Sequence, residues 1–418
     1  MHMKRKDLIV LNYQYEIPTF MQNILYYAGT VFDKIYYVYP VSCADQRLHS
    51  QYSKVRFLAI PREKAYQRVI KLPLYFLKKD SWELLLRAAG NKLPVVKLTE
   101  IIAVHNIWAD CFVKAVSRMF ENGLADKENT VILSTWFSSE AMAGAELKRK
   151  YPEVHFVSLA HSFEIDCLRN PYASYGYNRM KHHYCDHVFF ISDVMRDRYC
   201  RDVRNIISGR DLDKTSVIHL ASRKLYPERL VPGSADGILR LLSCSDVVPV
   251  KRIDRIIDFL ASWDGRDIEW THFGKGSLFK EMKKLAAGKL VNKENIRYRF
   301  MGEADNAKIH EYYNSNVVDL FINVSGSEGV PTALMECMSY GVPAIAAKVG
   351  GNTEIVSERN GFLLSADFNN EELSRVINRY SDMTDKEREE LRSAAYTSWK
   401  EDYDCSVNTI KLLREICG

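Results

Sequence analysis

The sequence predicts an α/β protein built from two successive doubly wound parallel sheets. Three observations carry this reading. Short β-branched or aromatic runs alternate with helical segments along the whole chain. A Pro- and Gly-rich stretch without periodicity interrupts the alternation near residue 230. The length, 418 residues, exceeds what one hydrophobic core usually serves.

In the first half the expected strands are Leu8–Leu11, Lys34–Val38, Val131–Ser134, Val154–Leu159, Val188–Ile191 and Val217–Leu220. Each is a short apolar run of the kind that fills a sheet covered on both faces. Helices fit between them. Ser81–Ala89 stops at Gly90, Ser139–Lys150 stops before Pro152, and Ser192-Asp193 offers an N-cap just after a strand. Ser222–Gly237, SRKLYPERLVPGSADG, reads as a linker. A second series of strands follows: Leu239–Cys244, Ile268–Phe273, Ile296–Met301, Leu320–Val324 and Ala344–Ala347, and the chain is charged and helical from Thr384 onward. The expected domains are residues 1–225 and 226–400, with a helix in 401–418 crossing back to the first. Two such sheets imply a cleft between them, with ligands outside the carboxyl ends of the strands.

Composition narrows the class. The apolar share of 47% and charged share of 27% are those of a soluble globular protein. No uncharged apolar run approaches the roughly 18 residues that span a bilayer. The basic start, MHMKRKDLIVLNYQYEI, runs into Asn12, Gln14 and Glu16 and reads as a first strand, not a signal peptide. Nine scattered cysteines without a CxxC pair favour reduced thiols in a cytoplasm over disulfides or a zinc site. Residues 1–225 carry 33 Lys+Arg against 23 Asp+Glu, and the rest 25 against 30. Between Lys54 and Lys79, Arg56, Arg62, Lys64, Arg68, Lys71 and Lys78 interleave with aromatic and aliphatic residues. That pattern suits peripheral contact with an anionic membrane, and equally a solvated helical face with core aromatics. No recognition helix, zinc-finger spacing or RNP-like strand supports nucleic acid as a partner.

The most informative segment is Ser325–Asn352, SGSEGVPTALMECMSYGVPAIAAKVGGN, after the strand Leu320–Val324. Ser325–Gly329 is a tight polar turn, Pro331 stands where a first helical residue belongs, and Gly341 where a helix needs a left-handed residue to end. The N–H groups of Gly329, Val330 and Thr332 are then available to ligand oxygens. Glu336 falls about 7.5 Å along the helix from Pro331. Glu328 and Glu336 can each hold a vicinal diol, one on a sugar and one on a ribose, since a carboxylate accepts two hydroxyl donors. Otherwise they are exposed acids on a surface helix, which the apolar neighbours Ala333, Leu334, Met335 and Met338 argue against.

Glu328-x7-Glu336, with GVP inside it and YGVPAIAAKVGGNTEIV after it, resembles the donor signature of the retaining family 4 glycosyltransferases of the GT-B fold. The resemblance extends over nearly the whole chain and is best in residues 239–364. It implies that Glu328 contacts hydroxyls of the transferred sugar, that Glu336 binds the ribose, and that the turn Gly329–Pro331 approaches sugar and diphosphate. Val248–Asp254 resembles the strand-to-helix segment whose Lys neutralises the leaving diphosphate, here Lys251 with Arg252 as helper. Relatives often carry an Arg five residues before that Lys; this chain has Asp246, so either that acid points away or phosphate binding relies on Lys251 and amide donors. Gly274-Lys275-Gly276 ends another strand as in the family, and Met301-Gly302 resembles the turn whose backbone reads the nucleobase. Gly350-Gly351 precedes a helix starting near Thr353.

In the first domain the match is looser. Ala160-His161-Ser162-Phe163-Glu164 resembles the family's His-Gly-aromatic-Asp segment, with Ser for Gly and Glu for Asp, and assigns His161 as a donor to the transferred sugar or the transition state. Ser134-Thr135-Trp136 resembles a strand end seen in relatives, either structural or acceptor-lining, and Asn12–Thr19 lacks the glycines relatives place after the first strand. The resemblance implies transfer of a hexose, with retention, from a UDP-sugar or GDP-mannose to a glycan or lipid-linked acceptor on the cytoplasmic side of a membrane. No metal is indicated, since no Asp-x-Asp flanks the donor motifs, and no cofactor is implied beyond the donor substrate. A sugar-nucleotide epimerase of the same fold and a non-catalytic nucleotide-sugar or membrane-binding protein are the rival readings.

Overall fold

The computed structural model describes the chain except residues 1–6, 15–16, 41–51, 61–64, 91–93, 166–169, 171, 174–175, 227–229 and 418. It divides into two compact units, residues 1–219 with 409–418, and residues 220–408.

The first unit holds a seven-stranded sheet, all parallel. Its strands are β1 (Asp7–Leu11), β2 (Ile35–Pro40), β3 (Val55–Ile60), β4 (Thr130–Ser134), β5 (His155–Ala160), β6 (His187–Phe190) and β7 (Thr215–Val217). Their order is β3-β2-β1-β4-β5-β6-β7, so the direction of winding reverses between β1 and β4. Leu8 lies between Ile35 on one side and Val131 on the other. Every residue of β1 and β2 is buried, as a sheet covered by helices on both faces requires. The long helix Val95–Glu121 and the Ala-rich helix Ser139–Lys150 pack against each other beside it; a Cβ on Gly144 would run into the Phe156 ring.

The second unit repeats the design with β8 (Leu239–Cys244), β9 (Ile268–Phe273), β10 (Ile296–Gly302), β11 (Leu320–Asn323), β12 (Ala344–Ala347) and β13 (Gly361–Leu364), again parallel, in the order β10-β9-β8-β11-β12-β13. Its reversal lies between β8 and β11. The helix Asp385–Asp402 starts at a capping box, Thr384 with Glu387, and carries the buried Arg392. That guanidinium donates to the carbonyls of Val231, Pro232, Val318 and Asp319, stitching the helix to the start of the unit.

Two strands escape the sequence pattern, β3 and β13. Val55–Ile60 is an edge strand whose Arg56 and Ala59 are exposed, which masks its apolar period. The basic stretch is therefore not one helical face. It runs from this strand into the helix Ala65–Phe76 and the next helix from Lys79; Arg62 and Lys64 lie outside the described residues. Ile70, Leu74 and Leu77 are exposed there while Tyr75 is core. β7 ends at Val217, short of the expected Leu220, because it pairs only with Val188–Phe190 of β6. Among the described residues no helix is long and apolar enough to cross a membrane.

Candidate functional site

Strand ends at a reversal splay their following loops apart and open a crevice, where ligands of such sheets bind. In the second unit the loop after β8 carries Lys251 on a short 3-10 turn, Pro249–Lys251, and the loop after β11 carries Glu328. Lys251 Nζ lies 2.6 Å from Glu328 Oε1, and Asn323 Nδ2 donates to the same oxygen at 3.3 Å. Glu328 is only 6% exposed, so this cation replaces most of its hydration. Arg252 follows in the left-handed region (φ 50°) and caps the helix Ile253–Ser262. Its guanidinium is tied to the Ala366 carbonyl at 2.7 Å and lies beside Gly326. The Asp246 side chain is exposed.

Pro331 is the N-cap, not the first helical residue; the helix is Thr332–Ser339 and ends at Gly341 (φ +72°). Among the described residues the N–H groups of Gly329, Val330 and Thr332 donate to no backbone carbonyl, so the helix mouth keeps its donors. The Gly329 carbonyl takes the Gly351 N–H at 2.8 Å, and a Cβ on Gly351 would stand 2.0 Å from that oxygen. Glu336, also buried, accepts from Asn306 Nδ2 at 2.7 Å. Burial pushes its carboxyl up to about 7, with the Asn306 hydrogen bond opposing.

Gly274 (φ +140°) and Gly276 are required by protein backbone: a Cβ at either would enter the Ser245 or Val247 carbonyl. They bring the end of β9 against the loop after β8. Beneath them the buried His272 is fixed by Ser243 Oγ at 2.8 Å, and its pKa is lowered to about 4 by burial. The pairing of β10 with β9 shifts between Phe300 and Gly302, which leaves Met301 as the extra residue, 41% exposed.

The reversal of the first unit has a polar seam of its own. Thr135 Oγ1 donates to Asn12 Oδ1 at 3.0 Å, and the Tyr13 N–H donates to Glu140 Oε1 at 3.0 Å, joining the turn after β1 to the segment after β4. His161 follows β5 with its ring between Phe20 (4.5 Å) and Trp136 (4.3 Å). Its Nε2 is 3.1 Å from the Thr135 carbonyl, which can only accept, so the proton sits on Nε2 and Nδ1 is an acceptor. The expected donor N–H is thus already engaged, and burial lowers the pKa to about 3, keeping the ring neutral.

Glu164 Oε1 receives the N–H groups of His161 (2.8 Å) and Phe137 (3.1 Å). The buried Lys181 donates to the Phe137 carbonyl at 2.6 Å. Burial raises Glu164 to about 7 and Glu140 to about 8, and lowers Lys181 to about 7. Among the described residues Glu140 Oε2, Glu164 Oε2 and Trp136 Nε1 are buried without a hydrogen-bond partner. Sequence reasoning missed Asn306, Asn323, Glu140 and Lys181. The only local signal was an acid in the first turn of an otherwise small-residue helix, at Glu140.

The strand ends, the Lys251–Glu328 pair and Glu336 can be set beside known proteins. Residues 231–398 match the family model Glycosyl transferases group 1. The structure superposes on Anabaena HepE in complex with UDP and glucose with TM-score 0.70 over 99% of both chains at 15% identity. It does so on the lipopolysaccharide outer core galactosyltransferase WaaB with TM-score 0.67 over 99% of both chains at 14% identity. The fold is GT-B. In sequence the chain is 24% identical over 243 residues to the Escherichia coli O-antigen biosynthesis glycosyltransferase WbnH, an alignment spanning 57% of this chain and 64% of that protein, just under two thirds of its length. The matched GT-B segment holds Lys251, Arg252, Gly274, Gly276, Met301, Glu328–Thr332 and Glu336, while His161 lies outside it.

Proposed function

We propose that the protein is a retaining glycosyltransferase that moves a hexose from a nucleotide sugar, a UDP-sugar in preference to GDP-mannose, to a hydroxyl of a glycan or lipid-linked glycan in surface polysaccharide synthesis. The observation that carries this is the meeting of Lys251 and Glu328 at the reversal of the second sheet, with Glu336 one helix turn or two further on. The family match of that unit, the O-antigen enzyme WbnH and the UDP and glucose bound by HepE support it.

In this reading Lys251, with Arg252 as helper, and the N–H groups of Gly329, Val330 and Thr332 take the diphosphate, where preorganised donors meet developing negative charge. Glu328 orients the hexose, Glu336 the ribose, and the Met301 turn the base, with Pro331, Gly274 and Gly276 shaping the walls. The C1–O bond to phosphate breaks, the acceptor oxygen bonds to C1 on the same face, and its proton passes to the leaving phosphate oxygen. No metal or further cofactor enters this reading. His161, neutral and held by Thr135, presents Nδ1 to a hydroxyl of the sugar or acceptor. The protein works at the cytoplasmic face of the membrane, with the exposed Ile70, Leu74 and Leu77 beside the lysines of that segment in peripheral contact with anionic lipid.

The test is a panel of UDP- and GDP-sugars scored by binding and nucleotide release, with Glu336→Ala and Glu328→Gln as controls. One donor should bind and release nucleotide, and both variants should lose at least tenfold in affinity or rate. Equal binding of every donor by parent and variants refutes the site; interconversion of one sugar nucleotide with another, without release of nucleotide, refutes transfer. Sedimentation with anionic vesicles that is unchanged by Leu74→Ser with Leu77→Ser refutes the membrane contact.

A further inference from the structure

The loop after β10 holds a residue that none of the motifs above includes. Asn306 opens the helix Asn306–Ser315, four positions after Gly302. Asp305 caps that helix by accepting the Lys308 N–H at 2.8 Å, which fixes the backbone at Asn306. From there the side chain reaches thirty residues along the chain, to Glu336 Oε1 at 2.7 Å.

Glu336 is 6% exposed, and the groups whose charge interacts with it, Cys244, Tyr313, Cys337 and Tyr340, are neutral at physiological pH. Among the described residues no Lys or Arg pairs with it, and the Asn306 amide is its hydrogen-bond donor. A buried carboxylate without a cation keeps its ionised form and its rotamer only through such donors. The amide occupies Oε1 and leaves Oε2, which makes no protein hydrogen bond among the described residues, available to a ligand.

We propose that Asn306 is the positioning residue for ribose recognition, holding the Glu336 carboxylate so that its second oxygen meets the ribose diol. Standing four residues after the Met301–Gly302 turn, it also ties the grip on the ribose to the segment that faces the base. The proposal rests on the reading of Glu336 as the ribose ligand.

The experiment compares paired nucleotides by titration calorimetry: UDP, GDP and ADP, each against its 2′,3′-dideoxy form. The parent should bind one ribonucleotide at least tenfold tighter than its dideoxy partner, and Glu336→Ala should erase that ratio. Asn306→Ala should cut the ratio to threefold or less while the dideoxy form binds as before. Asn306→Asp, which sets a second carboxylate against Glu336, should remove it altogether. Asn306→Ser supplies the same comparison if Asn306→Ala melts early. A merely structural residue would change both members of a pair equally. If the Asn306 variants keep the parent's ratio while Glu336→Ala loses it, the proposal is overturned and the ribose reading stands. If the parent prefers no ribonucleotide, the ribose reading fails and the proposal with it.

Discussion

Lys251 Nζ and Glu328 Oε1 lie 2.6 Å apart across the reversal of the second sheet, so a cation from the loop after β8 neutralises a carboxylate from the loop after β11. Neither residue is independent of the other. Lys251→Ala removes the counter-ion of a buried carboxylate and is expected to lower the melting temperature as well as the affinity for a UDP-sugar, the latter at least tenfold, about 1.4 kcal/mol. Lys251→Arg should recover the melting temperature more fully than the affinity, because a guanidinium keeps the charge but not the compact ammonium geometry. Thermal melts and calorimetry on the three proteins check this; affinity that survives Lys251→Ala contradicts it.

The pH response of Glu336 has opposite signs for folding and binding. Its folded pKa, about 7, lies above the ordinary value of 4.5, because burial favours the protonated form. Its contribution to stability is therefore complete below about 4.5 and is lost as pH rises through about 7. Glu140 and Glu164 act in the same direction, while the lowered Lys181 acts oppositely above about 7, so the comparison must be with Glu336→Gln. Relative to the parent, Glu336→Gln should gain melting temperature between pH 5 and 8. Nucleotide affinity of the parent should rise over the same range as the carboxylate ionises, and that of the variant should stay flat.

Gly351→Ala places a methyl group 2.0 Å from the Gly329 carbonyl that its own N–H binds. The two loops must separate, at a cost of about 1–3 kcal/mol. The turn that presents the Gly329 and Val330 amides moves with them. Calorimetry should show loss of nucleotide diphosphate binding with the second unit still folded; unchanged binding would mean that these amides do not touch the ligand.

In the first unit, Glu140→Gln keeps an oxygen for the Tyr13 N–H and Glu140→Ala does not. Hydrogen exchange at Tyr13 should accelerate at least tenfold in the alanine variant and remain near the parent rate in the glutamine variant. Equal protection in all three would show that Glu140 does not order the turn after β1.

The features legible in the sequence are those whose signal is local. β11, its turn and the helix to Ser339 are marked by an apolar run, by Gly329, by Pro331 and by Gly341 in a left-handed conformation. β3 was hidden because two of its six residues face solvent at the sheet edge, and β13 because it is four residues long and opens on glycine. Asn306 and Glu140 were hidden for a different reason: their partners lie 30 and 127 residues away, and only the sheet order brings them together. His161 is singled out in the sequence by its place after a strand, but the engagement of its Nε2 by Thr135 depends on two strand ends meeting, which no single segment encodes.

Arg392 is made long after the carbonyls it serves, which lie 73 to 161 residues earlier in the chain. Residues 1–380 contain every strand described in both sheets, yet the carbonyls of Val231, Pro232, Val318 and Asp319 still await their guanidinium. Residues 409–418, which belong to the first unit, come later still. Until these two segments are made, the second unit lacks the Arg392 bonds and the first lacks part of its packing. A chain cut between 380 and 392 keeps the strands of the crevice and leaves the four carbonyls without their cation.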